Sequence, residues 1–85
     1  MNRQLVLKAV YADNKTATYR GKGQVLVVSN DGASSINVTV NGIVVPVLSG
    51  EVLGPDELQF GMFSSFVVTA TTTAYRVFVY DMGEK

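Results

Sequence analysis

The side chains that most enzymes use for catalysis are scarce in this chain of 85 residues. It contains no Cys, no His and no Trp. Their absence excludes catalytic triads built on imidazole or thiol groups, and zinc sites of the Cys/His type. Four lysines and many serines leave Ser–Lys pairs formally available, but their spacing indicates none. We therefore expect a protein that is not an enzyme, with no catalytic residue and no cofactor.

The acidic residues lie mostly in predicted turns. They are Asp13, Asp31, Glu51, Asp56, Glu57, Asp81 and Glu84. Any two of them could be drawn as a glycosidase-like carboxylate pair, and residues 30–32 or 56–57 could offer oxygens to a calcium ion. Turns also favour Asp and Asn for backbone reasons, so we interpret these residues as surface turns and predict no metal site. Residues 21–23 (Gly-Lys-Gly) are too short for a phosphate-binding loop and are interpreted as a flexible turn.

The charges divide the chain into two unequal parts. Residues 1–22 contain five basic residues and one acidic residue, whereas residues 23–85 contain two basic and six acidic residues. With Tyr11 and Tyr19, the basic part could contact phosphates and stack on bases, but the net charge of zero argues against nucleic acid as a partner. We interpret residues 1–22 as the first strand and a candidate basic docking arm, with Arg3 and Lys8 as predicted partner contacts.

Neither a signal peptide nor a membrane span is expected from the sequence. The apolar run near the start ends at Lys8, and a signal peptide needs about 7–15 apolar residues. No stretch approaches the roughly 20 apolar residues of a membrane helix. We therefore expect a protein that is made in a cytoplasm and does not bind membranes. Because domains usually have about 100–200 residues, we also expect a single domain, residues 1–85.

The residue pattern predicts an all-β fold. The chain has 15 valines and 7 threonines, which favour strands, and it shows no helical apolar stripe. Strands are predicted over residues 4–11, 24–29, 35–40, 43–48, 57–60, 66–72 and 74–81. A polar connection is predicted over residues 12–22 and a turn near residues 71–73. Six to eight short, mainly antiparallel strands predict a small β-sandwich of jelly-roll or immunoglobulin-like type. The continuous apolar run 25–28 is typical of a strand covered on both faces.

A hairpin in the middle of the chain can be worked out in register. Residues 41–42 (Asn-Gly) lie between two alternating runs, and both residue types tolerate positive φ. A two-residue turn there pairs Val40 with Ile43, Val38 with Val45 and Ile36 with Val47. These six side chains should face the core. The opposite face exposes Val44, Pro46 and Leu48, which we predict as partner contacts, and Pro46 indicates an edge strand or a bulge.

Two further features indicate that the protein assembles with others. Phe60, Met62 and Phe63 cluster around Gly61, either as core filling at a strand end or as a contact surface, and we include them among the candidate contacts. Only 16% of the residues are charged, against about 25% in typical domains. A domain of this size is marginally stable alone. We therefore expect part of its surface to be covered by another subunit, in a homo-oligomer (trimer or dimer) or on a larger partner.

The chain resembles small β-sandwich virion proteins of tailed bacteriophages, namely head decoration (cement) proteins and head-fibre or tail-associated modules. The resemblance lies in residues 28–30 (Val-Ser-Asn), 36–42 (Ile-Asn-Val-Thr-Val-Asn-Gly), 49–51 (Ser-Gly-Glu), 66–71 (Phe-Val-Val-Thr-Ala-Thr) and 75–80. It implies a structural protein on the capsid surface, made in the bacterial host, that binds the major capsid protein and stabilises the shell. A tail or fibre module and a small glycan- or nucleic-acid-binding module are the alternatives.

Overall fold

The computed structural model describes residues 3–84, with side chains for residues 4–82. The chain forms β1 (Arg3–Asn30), β2 (Ile36–Val40), β3 (Ile43–Val47), β4 (Val52–Leu53) and β5 (Gln59–Glu84). The strands make one sheet in the order β3-β2-β5-β1-β4. Every pairing is antiparallel, and the sheet curls into a half-barrel. The all-β antiparallel class is confirmed, with five strands where the sequence predicts six to eight.

Within residues 3–84, no helix is long and apolar enough to span a membrane.

Two long strands dominate the sheet. β1 and β5 pair from Arg3 opposite Glu84 to Val25 opposite Gln59. The end of β1 then pairs a second time with β5, over residues 25–30 against 75–80. Residues 75–80 are therefore held between residues 7–13 and 25–30 of the same strand. Register shifts, including one between Leu7 and Ala9, mark the bulges that let such a long ribbon bend.

The predicted polar connection over residues 12–22 is wrong, because these residues belong to β1 and pair with β5. Polar side chains there face solvent, while Ala17 and Tyr19 are half-buried, an alternation that fits a strand with one exposed face. The predicted turn at residues 21–23 is also part of this strand. Gly23 is buried, and a Cβ atom there would lie 2.7 Å from Val79 Cγ1 and 2.8 Å from Phe63 Cζ. Glycine thus allows β1 to approach β5 closely.

The hairpin of β2 and β3 has the predicted register at all five pairs. Asn41 and Gly42 have φ angles of 51° and 79°, as the turn requires. β3 lies at the edge of the sheet, which confirms the edge position expected from Pro46. One expectation is wrong: Ile43 is 55% exposed, because it lies at the hairpin tip, beyond the end of the core.

The core lies between two halves of the curled sheet. The first half contains residues 3–13, 25–30 and 75–84 with β4, and the second contains residues 15–23 and 59–71 with β2 and β3. Buried side chains from both halves form one cluster, including Leu26, Val28 and Val77 from the first and Val38, Phe66 and Val68 from the second. Each such burial contributes roughly 1.5–3 kcal/mol, so this cluster holds the halves together. The chain crosses between the halves in β5 at Thr72, which has a positive φ of 52°.

Candidate protein-interaction surfaces

Two acidic side chains cap turns. Glu51 Oε1 accepts a hydrogen bond from the backbone N–H of Leu48 at 2.9 Å, and Glu57 Oε1 accepts one from Gly54 at 2.7 Å. Both bonds satisfy backbone donors that the turns leave free. Among residues with described side chains, no three acidic groups come close enough together to hold a metal ion. These glutamates therefore act on the backbone of their own turns.

Asn30 joins the end of β1 to β3. Its side chain is buried, and Nδ2 donates to the carbonyl oxygens of Ser34 at 2.8 Å and Val47 at 2.9 Å. Its Oδ1 accepts from the N–H of Gly32 at 3.0 Å. The Asn30 amide thus uses both its donor and its acceptor on the backbone around it, and these hydrogen bonds hold the turn after β1 in place.

Asp31 makes an ion pair on the surface. Arg76 Nε donates to Asp31 Oδ2 at 2.8 Å and Arg76 Nη2 donates to Oδ1 at 3.1 Å, while Ser29 Oγ donates to Oδ1 at 2.7 Å. The hydrogen bonds from Arg76 and then Ser29 lower the pKa of Asp31. The carboxylate oxygens of Asp31, one of the residues considered for calcium, are thus engaged by protein donors.

Three of the four tyrosines face inward. The rings of Tyr11 and Tyr19 stack with centroids 4.4 Å apart. The hydroxyl groups of Tyr19 and Tyr75 are hydrogen-bonded at 2.8 Å, and Tyr75 also donates to the carbonyl oxygen of Lys15 at 2.7 Å. Burial, followed by the hydrogen bond with Tyr19, raises the pKa of Tyr75. These rings fill the bend of β1, which counts against their use as a stacking platform for bases or sugars.

The first set of predicted contacts lies on one surface, which we call the β3 patch and define as Val44, Pro46 and Leu48. Val44 is 58% exposed and Leu48 is 59% exposed, and Pro46 is also exposed. In β3, Val44 and Pro46 alternate with Val45 and Val47, which turn toward the core. The patch is therefore an apolar strip along the edge of the second half.

The second set of predicted contacts, residues 60–63, is divided between core and surface. Phe63 is buried and belongs to the core, and Phe60 packs against it edge-to-face at 6.2 Å. Only Met62 is strongly exposed, at 67%. Asn41 Nδ2 donates to its carbonyl oxygen at 3.4 Å, which places Met62 near the tip of the β2–β3 hairpin. Phe63 thus fills the core, the other interpretation that the sequence left open.

The basic residues of the N-terminal segment lie on a paired strand. Arg3 begins β1 opposite Glu84, and its side chain lies outside the described part of the chain. Lys8 is exposed at the bulge between Leu7 and Ala9. With Lys22 and Tyr11 it lines an open cavity of about 230 Å³ over an apolar floor. The segment is thus built into the sheet, so any docking role falls to its side chains.

A third surface was not anticipated as a contact. On the first half, side chains that point away from the core form what we call the outer apolar face: Leu5, Leu7, Val10, Val27, Phe78 and Tyr80. Val10 lies opposite Phe78, which lies opposite Val27, and Leu7 lies opposite Tyr80. Leu7 and Val10 are about half exposed, and Val27 is only partly buried. Paired neighbours share a face, so these residues form one continuous surface.

The signal for this face was present in the sequence. The apolar run 25–28 predicted a strand covered on both sides, and Val25, Leu26 and Val28 are indeed buried. Val27, in contrast, is only partly buried. The face could be recognised only once the pairing of β1 with β5 placed Val10 and Phe78 beside Val27, because that pairing joins residues far apart in the chain.

Neither a family model, nor a curated protein, nor a solved structure matches this chain.

Proposed function

We propose that the protein is a non-enzymatic structural subunit, specifically a decoration (cement) protein of a tailed bacteriophage that binds the major capsid protein and stabilises the shell. The observation that carries the proposal is the presence of exposed apolar side chains on two separate surfaces, the β3 patch and the outer apolar face. Apolar patches of this kind mark contact sites on soluble proteins. A subunit of a shell needs more than one contact, and two surfaces supply them.

In this proposal the β3 patch, with Met62 nearby, binds the capsid protein. Its apolar strip lies at an edge that Pro46 protects from strand addition, because proline cannot donate a ladder hydrogen bond. A partner would therefore pack against side chains without extending the sheet. The cavity beside Lys8 and Lys22 could receive an acidic side chain of the same partner, since two ammonium groups attract a carboxylate.

We also propose that the two halves of the curled sheet correspond to the layers of the jelly-roll or immunoglobulin-like sandwich expected from the sequence. The bend of β1 near residues 13–15 and the bend of β5 at Thr72 support this view, because they fold one ribbon over itself. Counted by straight segments, β1 and β5 then supply several of the six to eight short strands.

Co-sedimentation tests the function. Capsid shells assembled from the major capsid protein of the same genome are mixed with the chain, centrifuged, and scored for bound protein. We expect saturable binding with a fixed number of copies per shell, and higher shell resistance to heat. The Val44→Asp variant should bind more weakly. A genome without a capsid gene, or shells that bind nothing at micromolar concentration, would contradict the proposal.

Labelling of complete virions distinguishes the head from the tail. Gold-labelled antibodies against the chain should decorate the capsid surface evenly. Label confined to the tail or to fibres would replace the decoration function with the tail or fibre alternative. Binding to a glycan array or salt-dependent binding to DNA, without binding to shells, would favour the ligand-binding module.

A further inference from the structure

We propose that the outer apolar face binds the same face of a second copy, making the protein a two-fold symmetric dimer. This inference deepens the proposed function, on which it rests for the idea that the subunit has two contact surfaces. In the proposed function the capsid protein binds the β3 patch, which leaves the outer apolar face for a second copy.

The face is continuous and uncharged. Register places Val10, Phe78 and Val27 in one row across three neighbouring strand segments, and Leu7 and Tyr80 in the next. Lys8 lies between the rows along β1, but it lines the cavity with Tyr11 on the other side of the strand. The nearest ion pair, Arg76 with Asp31, is at the end of the face, and its charges are matched within the chain.

The strand that crosses this face is apolar on both sides. Val25, Leu26 and Val28 are buried within one copy, whereas Val27 is left partly open. Strands with such runs are typically covered on both faces. A second layer of sheet about 10 Å away would give Val27 and Phe78 the cover that their own chain does not supply.

The edges of the sheet favour packing on the face over extension of the sheet. β3 carries Pro46, β4 has only two residues, and residues 3–13 of β1 are interrupted by the bulge at Lys8. Proline, very short edge strands and bulges with lysine are the devices that prevent edge-to-edge pairing. A second copy, or an extended peptide, therefore finds no regular ladder to join.

The size of the face fits a weak but specific dimer. Three strands about 4.8 Å apart and six residues long, at about 3.3 Å per residue, cover on the order of 300 Å² in flat projection. Two copies would bury at least about 600 Å², because the flat projection leaves out the additional area of protruding side chains. That is below the roughly 1,000 Å² of stable interfaces, so the contact belongs with weak, transient ones, for which we expect a dissociation constant in the micromolar range.

A second copy is the best match for the chemistry of the face. A nucleic acid or a charged protein would find no complementary charge in the two rows. In a two-fold dimer each apolar row meets an apolar row, and every contact occurs twice. The aromatic rings of Phe78 and Tyr80 on the central strand would lie near the two-fold axis, where interface residues contribute most.

Analytical ultracentrifugation of the full chain over about 1–500 µM tests the dimer. We expect a monomer–dimer equilibrium that the Val10→Asp variant shifts at least about thirtyfold toward monomer, because each copy brings one buried charge to the interface. Val44→Asp is the matched control, the same change at similar exposure on the β3 patch, and it should leave the equilibrium unchanged. Leu7→Asp is a second variant on the face, should Val10→Asp fail to fold.

The outcomes separate this inference from the proposed function. Dimers that dissociate in Val10→Asp but not in Val44→Asp support the inference, whether or not the chain binds capsids. A wild-type chain that stays monomeric at about 500 µM overturns it. Equal effects of Val10→Asp and Val44→Asp on dimerisation would also overturn it. A monomer whose capsid binding is lost in Val10→Asp would assign the face to the capsid protein instead.

Discussion

A pair of substitutions on opposite faces of the β2–β3 hairpin tests which face is buried. Val38 is fully buried in the core, whereas Val44, in the neighbouring strand, is 58% exposed. Replacement of each by Asp introduces the same charge about one strand apart. We expect Val38→Asp to unfold the domain at neutral pH and Val44→Asp to leave it folded.

The magnitude follows from the burial of Val38. Loss of its apolar contacts costs roughly 1.5–3 kcal/mol. Full burial raises a carboxyl pKa by about 3–5 units, and at pH 7 this adds about 4 kcal/mol, because the buried group takes up a proton and the penalty is limited by the distance from its unfolded pKa of about 3.9. The total, roughly 5.5–7 kcal/mol, is comparable to the whole stability of a domain of this size, about 4–13 kcal/mol. At Val44 the change stays in solvent and should cost no more than about 1 kcal/mol of strand propensity.

Urea titration at pH 7, followed by far-UV circular dichroism and tyrosine fluorescence, measures both variants. The penalty in Val38→Asp should shrink as the pH falls toward 4, because the introduced carboxyl group becomes neutral. If the two variants unfold at the same urea concentration, the assignment of faces in the hairpin is wrong, and with it the β3 patch.

Three further predictions concern stability. Gly23→Ala should cost about 1–3 kcal/mol by overpacking, because its Cβ would meet Val79 and Phe63 below 3.0 Å; an unchanged urea midpoint would contradict this close approach. Thr72→Gly should stabilise the fold by about 0.5–1 kcal/mol in the same titration, since Thr72 has a positive φ of 52° that a β-branched residue tolerates poorly; a loss of stability would show that the bend needs the side chain. Since the pKa of Tyr75 is raised on folding, its contribution is fully present below about pH 10, where the unfolded tyrosine ionises, and is lost as the pH rises further. Above pH 10 the free energy of unfolding should therefore fall by up to about 1.4 kcal/mol per pH unit because of this group, and it should fall less steeply in the Tyr75→Phe variant. An identical pH dependence in the two proteins would contradict the raised pKa of Tyr75.

The hairpin was predictable because its register depends only on residues that are close together in the sequence. The Asn-Gly turn at residues 41–42 and the alternation on either side fix the register without reference to the rest of the chain, and all five pairs agree. The edge position of β3 followed from Pro46 for the same reason. Exposure of Val44 and Leu48 then came directly from the register.

Residues 12–22 were missed because their partner is distant in the sequence. Their polarity looked like a loop, but they pair with residues of β5 that lie more than forty positions away, such as Tyr19 with Phe66. The alternation of Ala17 and Tyr19 with polar residues was a usable signal for a half-exposed strand. The outer apolar face was hidden for the same reason, because Val10, Phe78 and Val27 meet only through non-local pairing.

The pairing of Arg3 with Glu84 sets a limit on when the protein can fold during its synthesis. A ribosome releases the chain from its N-terminus, yet residues 3–13 have no strand beside them until residues 75–84 have left the exit tunnel. The early part of β1 must therefore wait, unpaired and rich in aliphatic side chains, while the rest is translated. Rapid translation of residues 57–84 would shorten this exposed interval, and a chaperone that holds the nascent segment would cover it; either should raise the yield of folded protein.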